Sequence, residues 1–263
     1  MPSRRRFDTR RFIRNCVPSR GVDRDWGLAA AVDAGAVRLD EAPPSRDLRA
    51  AWWPVRDQGS TGACVGFAAA DGVLRWHYVT AGWIGRKDLP SPRFIWMANK
   101  ETDEYTEYPT TFIEGEGTYV KLALANARKF GCVLERDLPI EGGLSRMTLE
   151  AFYTRASALR IASYHNLGRD LGAWRSWIAN QGPILSCLDV DRTWERATET
   201  GGVLERYLPR TVNGGHAISL VGYTKDGFIV RNSWGKGWGD RGFAHATDAY
   251  AAAAFTEAYG AVL

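Results

Sequence analysis

Residues 58–67 read Gln-Gly-Ser-Thr-Gly-Ala-Cys-Val-Gly-Phe, and the rest of the chain is organised around this stretch. A loop with one glutamine and two glycines leads to Cys64, where an apolar run begins. From Val65 to Trp76, small and apolar residues recur with a spacing of three and four, which predicts a helix that ends near Gly82. Cys64 is then expected at a helix N-terminus, where unpaired backbone N–H groups and the helix dipole lower the pKa of a thiol.

Two downstream motifs supply partners for a cysteine nucleophile. Residues 214–217 read Gly-Gly-His-Ala, and residues 231–239 read Arg-Asn-Ser-Trp-Gly-Lys-Gly-Trp-Gly. His216 opens a predicted strand that would hold its ring as a general base, and the other three histidines have no comparable setting. Asn232 ends another predicted strand, and its side-chain amide can orient an imidazole and fix its tautomer.

Three more side chains complete the candidate site. We expect the Gln58 amide, with the backbone N–H of Cys64, to form an oxyanion hole. Trp234, supported by Trp238, would shield the bond between histidine and asparagine from water. The alternative for each candidate is structural: a buried cysteine that behaves as a small apolar residue, a core histidine, a turn asparagine and a loop glutamine.

The secondary-structure pattern changes along the chain. Before residue 160 the spacing predicts mainly helices, and after it short apolar runs separated by glycines predict an antiparallel sheet or barrel. The sequence therefore indicates an α+β fold with a cleft between a helical and a β-rich part. The expected helices cover residues 93–99, 118–130, 147–156 and 171–178, and the expected strands residues 161–165, 183–188, 201–204, 216–223 and 227–232.

The motifs Gln-Gly-x-x-Gly-x-Cys, Gly-His-Ala and Asn-Ser-Trp-Gly-x-x-Trp-Gly, in this order, resemble those of the papain family of cysteine peptidases. The resemblance covers about residues 44–247 and is closer to compact bacterial members. It implies a helical lobe (43–160) with the nucleophile, an antiparallel β-barrel lobe (161–263) with the histidine and asparagine, and a basic N-terminal extension (1–42). It also implies hydrolysis of protein or peptide amides through a thioester, without cofactor or metal.

The resemblance also implies where substrate binds. Gly117 would lie on a backbone platform that pairs with an extended peptide, Gly215 would lie beside it, and Cys187 would line an apolar pocket. The chain departs from the family at Thr61, where a disulfide cysteine is usual, and at Val65, where an aromatic residue is usual. The residues before 43 are too few for a long helical propeptide, so we do not expect the N-terminus to inhibit the enzyme.

Composition and charge indicate which binding partners and which cell compartment to expect. Of 263 residues, 45% are hydrophobic and 24% charged, and the net charge is +4. Residues 1–24 hold eight arginines and two aspartates (+6), so the remaining chain carries −2 and does not suggest nucleic-acid binding. The arginines at 4–14 predict either a solvated arm or docking to an acidic partner. Four cysteines without a CxxC pair, no transmembrane-length apolar run and no convincing signal peptide lead us to expect a cytoplasmic protein.

Two other functions stay open at this point. The same three residues would support acyl transfer or deamidation of a dedicated partner, since both reactions use an activated thiol. A binding module that keeps the fold without catalysis is the third possibility. Every residue that the chemistry needs is present, which favours an enzyme.

Overall fold

The computed structural model describes residues 7–102 and 117–263, and most of its helices precede residue 160. The helices are α1 Leu28–Asp33, α2 Cys64–Ala69, α3 Arg75–Thr80, α4 Pro92–Thr102, α5 Val120–Lys129, α6 Leu149–Ser157, α7 Leu171–Asn180, α8 Thr193–Arg196 and α9 Asp248–Ala254. A π-helical turn, Ala70–Leu74, joins α2 to α3. The helix predicted to begin at Cys64 therefore continues to Thr80.

Small residues let α2 and the turn after it lie close to two other elements. A Cβ at Gly66 would come within 2.4 Å of the Pro92 carbonyl oxygen at the start of α4, and one at Gly72 within 2.0 Å of the Ser219 hydroxyl. Residues 64–74 are all buried. The sequence thus places Cys64 at the start of a helix that is enclosed between α4 and the sheet.

The strands form one sheet in the order β2-β8-β3-β5-β6-β7-β4, with β1 paired to β5. The strands are β1 Arg46–Asp47, β2 Ser163–Asn166, β3 Ile184–Asp189, β4 Val203–Leu204, β5 Gly215–Thr224, β6 Gly227–Arg231, β7 Phe243–Thr247 and β8 Phe255–Val262. β4 and β7 are parallel and the other pairs antiparallel. Helices before the sheet confirm the α+β class.

The expectation of an antiparallel barrel has to be corrected, because the sheet is mixed and open over the described ranges. Its two edge strands do not meet: β4 has only two residues, and the far edge of β2 is covered by the N-terminal part of the chain. There Gly27 forms a bridge with Asn166, whose backbone N–H donates to the Trp26 carbonyl at 2.9 Å. Chain that is not a strand of the sheet thus covers the edge that a barrel would close.

The N-terminal extension packs on the body. Phe12, Ala31 and Val37 are buried in the same core as Trp53 and the sheet residues. Within the extension, α1 forms from the alanine-rich stretch Leu-Ala-Ala-Ala-Val-Asp. The division into residues 1–42, 43–160 and 161–263 stays a prediction, since β1 before the helices pairs with β5 of the sheet.

The described residues also bear on membranes, metals and disulfides. They include no helix both long and apolar enough to cross a membrane. Within residues 7–102 and 117–263, no group of three or more histidine, cysteine or acidic side chains is arranged to hold a metal ion. All four cysteines are free thiols and are buried. Cys132 hydrogen-bonds backbone carbonyls next to it, including that of Val133 at 3.2 Å.

Candidate active site

The histidine and the asparagine predicted from the sequence are in contact. His216 is the second residue of β5, and Asn232 follows the last residue of β6. The distance from His216 Nε2 to Asn232 Oδ1 is 2.8 Å, and Oδ1 also accepts the backbone N–H of Ser233 at 2.7 Å. An oxygen that accepts both bonds requires the ring proton on Nε2, so Nδ1 carries a lone pair. Nδ1 is buried and has no hydrogen-bond partner within the described residues.

Tryptophan rings enclose this contact. The Trp234 ring lies 4.8 Å from the His216 ring, and Trp194 meets His216 edge-on at 5.8 Å. Trp238 stacks on Trp194 at 4.8 Å and donates its indole N–H to the Trp194 carbonyl at 3.0 Å. All three indoles are fully buried. Sequence reasoning missed Trp194 because it lies in the four-residue α8, outside any motif.

A serine between the predicted residues connects them. The Ser233 hydroxyl donates to Gln58 Oε1 at 2.7 Å, which fixes the orientation of the Gln58 amide. Gln58 Nε2 then donates to the Thr61 carbonyl at 3.1 Å and to the Ile13 carbonyl at 3.4 Å. Ser233 lies inside the Asn-Ser-Trp motif, which is the signal that would have identified it. The amide donor of Gln58 is thus held by the same loop that carries Asn232.

Cys64 begins α2 as predicted, but its thiol is not activated in this structure. It is fully buried, with Asn15 Oδ1 3.9 Å from the sulfur. Burial raises the pKa of the Cys64 thiol to about 11, although a hydrogen bond with the Ala217 backbone acts in the opposite direction. The expected lowering by the helix N-terminus is therefore wrong here, because removing water penalises a thiolate more than the helix end stabilises it.

His216 is also neutral. Burial lowers its pKa to about 4, and the hydrogen bond with Asn232 only partly offsets this effect. The positive charge of Arg14 lowers the pKa further. At neutral pH the site therefore holds a neutral thiol and a neutral imidazole rather than an ion pair.

The cause of this burial is residues 12–18, here called the cleft segment. Phe12 stacks on Trp234 with 4.9 Å between the rings. The backbone N–H of Cys16 donates to the Gly215 carbonyl at 3.0 Å, and that of Val17 to the Thr118 carbonyl, also at 3.0 Å. We did not expect the N-terminus to inhibit the enzyme, because the residues before 43 are too few for a long helical propeptide. The structure shows that a short segment covers the site without one.

The predicted substrate-binding glycines touch the cleft segment. A Cβ at Gly117 would lie 2.4 Å from the Asn15 carbonyl oxygen, and one at Gly215 2.1 Å from that of Cys16. Only glycine lets the segment's backbone approach this closely on both sides. Cys187, on β3, is buried in the same cluster as Cys16.

The two described arginines that precede the cleft segment, Arg10 and Arg11, pair with acids of the same chain. Arg10 contacts Asp8 at 2.9 Å, and Arg11 contacts Asp57, beside Gln58, at 2.7 Å. The second pair ties the arm to the loop before Cys64. Docking of the arm to an acidic partner stays a prediction.

Comparison with known proteins identifies relatives of this arrangement. A family model described as papain family cysteine protease matches residues 42–258. Cysteine proteinase 1 of Zea mays is 26% identical over 240 residues, which is 85% of this chain but 61% of the maize protein. This chain thus spans about three-fifths of that relative's length.

Solved structures share the fold. Xylellain, a cysteine protease from Xylella fastidiosa, aligns with a TM-score of 0.76 and 20% identity over 98% of this chain and 97% of its own. A digestive procathepsin from the larval midgut of Tenebrio molitor aligns with a TM-score of 0.69 and 19% identity, over 100% of this chain and 81% of its own. At these identities the likeness concerns the fold.

Proposed function

This chain belongs to the papain family of cysteine proteases, and we propose that it hydrolyses amide bonds of proteins or peptides. Cys64 is the nucleophile, His216 its base, and Asn232 orients the base. The 2.8 Å contact between His216 Nε2 and Asn232 Oδ1 carries the proposal. It leaves Nδ1 as the unprotonated nitrogen of a histidine that immediately precedes Ala217, whose backbone hydrogen-bonds the Cys64 sulfur.

Acylation begins with proton transfer from the Cys64 thiol to His216 Nδ1. The thiolate attacks the substrate carbonyl carbon, and the carbonyl oxygen becomes an oxyanion. Gln58 Nε2 and the Cys64 backbone N–H donate to this oxyanion, a role supported by the Ser233 bond that fixes the Gln58 amide. The imidazolium then protonates the leaving amine, and a thioester on Cys64 remains.

Deacylation uses the same groups with water in place of the thiol. His216 takes a proton from water, the hydroxide oxygen attacks the thioester carbonyl, and the carboxylic acid leaves as Cys64 regains its proton. Asn232 holds the ring in one orientation through both steps. The packed indoles of Trp234 and Trp194 keep bulk water away from that bond, which strengthens it in a low-dielectric surrounding.

The substrate binds where the cleft segment now lies. We infer that an extended peptide pairs with the Thr118 carbonyl and the Gly215 carbonyl, because backbone N–H groups of residues 16 and 17 already bond to them. Gly117 and Gly215 give the peptide backbone room. Cys187 lines the wall beside this path and favours an apolar side chain.

Catalysis requires the cleft segment to leave. Its departure readmits water to Cys64 and His216 and moves the Arg14 charge away, so that the charged forms of both groups are no longer penalised. The described structure is therefore the closed form of the proposed enzyme. Movement of residues 12–18 opens it while the rest of the site stays in place, since Asn232 Oδ1 accepts the Ser233 backbone N–H and the Ser233 hydroxyl donates to Gln58.

The test is turnover of a fluorogenic peptide-amide library by the Phe12→Ala chain, in which the stacking contact on Trp234 is lost. We expect hydrolysis that disappears when Cys64→Ala is added. Mass spectrometry of the products separates the outcomes: free carboxylic acid supports a peptidase. Products joined to an added amine would instead indicate acyl transfer, and an open but inactive protein would indicate a binding module.

A further inference from the structure

One thiol of the cleft segment packs against a thiol of the sheet. Cys16, in the segment, and Cys187, on β3, pack in the same buried cluster, and the Cys16 thiol donates only weakly, to the Val17 carbonyl at 3.9 Å. Both belong to one buried cluster that also contains Cys64 and Ala217. Cys187 lies opposite Ala217 across the β3–β5 pair, and Gly215, which binds Cys16, is two residues earlier on β5.

The backbone holds Cys16 in a defined place. Its N–H donates to the Gly215 carbonyl, and the next N–H, of Val17, donates to the Thr118 carbonyl, each at 3.0 Å. The absence of a side chain at Gly215 lets the Cys16 carbonyl come close. Each time the segment closes, the Cys16 thiol therefore returns to the same position beside Cys187.

We propose that Cys16 and Cys187 form a disulfide when the protein meets a low-molecular-weight disulfide such as oxidised glutathione, and that this bond locks the cleft segment over Cys64. The chain alone determines the position of both sulfurs. The regulatory meaning of the lock rests on the proposed peptidase function, but the bond itself does not.

Glutathione disulfide is the oxidant in this thiol–disulfide exchange. The Cys16 thiolate attacks one sulfur of the glutathione disulfide, which gives a Cys16–glutathione mixed disulfide and one glutathione thiolate. The Cys187 thiolate then attacks the Cys16 sulfur and displaces the second glutathione. The two protein thiols lose two electrons and two protons, and both are recovered in two molecules of reduced glutathione.

The first step takes place when the segment is open. In the closed form, burial and the neighbouring Cys187 thiol raise the pKa of Cys16 well above its ordinary value, and a protonated thiol does not attack a disulfide. Opening exposes Cys16 to solvent, and closing brings the mixed disulfide back to Cys187. Reduction of the disulfide by a dithiol restores the mobile segment, so the lock is reversible.

Tryptic mapping identifies the bond directly, because each cysteine lies in a separate peptide: residues 15–20, 57–75, 130–136 and 176–192. The full chain is incubated with oxidised glutathione, blocked with iodoacetamide and digested without reductant. We expect peptide 15–20 joined to peptide 176–192, and separation of the two after dithiothreitol. A linkage of 15–20 to 57–75, or glutathione on single peptides with no linked pair, would overturn the proposal.

The second readout is access to Cys64. After oxidation and removal of glutathione, we expect alkylation of peptide 57–75 to slow about tenfold or more, because a covalent tether keeps the segment at high effective concentration. Cys16→Ser should abolish both the linkage and the slowing, and Cys132→Ser, at the buried thiol near Val133, should retain both. Equal slowing in Cys16→Ser would contradict the lock. Neither readout requires turnover, so failure of the lock is distinguishable from failure of the peptidase proposal.

Discussion

The two sides of the cleft hold their reactive groups in different ways. On the sheet side, His216 bonds Asn232 at 2.8 Å, and the Ser233 hydroxyl bonds Gln58 at 2.7 Å. On the helix side, the sulfur of Cys64 lies beside a side chain of the removable segment, 3.9 Å from Asn15 Oδ1. The base is preorganised by the body of the protein, whereas the charge state of the nucleophile depends on what covers it.

Removal of either reactive group should have the largest effect on turnover. In the Phe12→Ala background, Cys64→Ala and His216→Ala should each reduce turnover by on the order of 10⁴–10⁶-fold, with no further loss in the double variant, because the two groups act as a unit. Circular dichroism controls for folding. Additive losses would contradict the shared role.

Substitutions at Gln58 and Ser233 separate the effect of the oxyanion donor from that of the residue that orients it. Gln58→Ala should lower kcat by about 10²–10³-fold, the usual effect of losing one oxyanion donor. Ser233→Ala removes only the bond that orients Gln58 and should lower kcat about fivefold, since such a bond contributes about 1 kcal/mol. Steady-state kinetics in the Phe12→Ala background would measure both, and equal effects would mean that Ser233 has a larger role than orientation.

A change at the segment tests the helix side. Phe12→Ala removes a buried ring from Trp234 and weakens the closed form by about 2–3 kcal/mol, so iodoacetamide should label Cys64 about 30–160 times faster. The matched control is Arg10→Ala, whose ion pair with Asp8 is exposed and contributes little. If both variants label at the wild-type rate, Phe12 does not anchor the segment.

Acid should also weaken the closed form. His216 has a pKa of about 4 when buried, against about 6.5 when exposed. Between these values the open form binds more protons, so the stability gained by burying neutral His216 is complete above pH 6.5 and is lost as pH falls toward 4.

Hydrogen exchange of the Cys16 and Val17 amides, corrected for intrinsic rates, measures this opening. Exchange should rise up to about tenfold per pH unit below 6.5, since one pKa unit corresponds to about 1.4 kcal/mol. His216→Gln, which does not titrate, should show a flatter profile. The same slope in both proteins would assign the opening to another group.

The sequence predicted the elements that carry local patterns. The helix from Cys64, the central strands β3, β5 and β6, and the start of β5 at His216 follow from periodicity and apolar runs. The helix is 64–80 rather than 64–82 and contains the π-helical turn Ala70–Leu74. Short motifs with specific chemistry also pointed to His216, Asn232 and Gln58. The structure brings His216 and Asn232 into contact and bonds Gln58 to Ser233, a residue that sequence reasoning missed.

Elements that depend on distant partners were not predictable. β8 reads Phe-Thr-Glu-Ala-Tyr-Gly-Ala-Val and has no regular alternation of apolar and polar residues, yet it lies between β2 and β3. At Gly260 within it, a Cβ would lie 2.0 Å from the Trp177 ring, so the strand depends on a helix about 80 residues earlier. The cleft segment likewise has no strand pattern, with Arg14, Asn15 and Pro18 among its residues, and it is held in place by bonds to Gly215 and Thr118.

The most direct measurement of the central claim is the site of acylation. The Phe12→Ala chain is mixed with an activated ester of an N-acyl amino acid, quenched in acid and digested with pepsin for mass spectrometry. The account predicts a single acyl group on the Cys64 sulfur that is lost on incubation at neutral pH, and no such adduct in the Cys64→Ala chain. A persistent adduct of equal amount on the other cysteines, or acylation that survives Cys64→Ala, would contradict it.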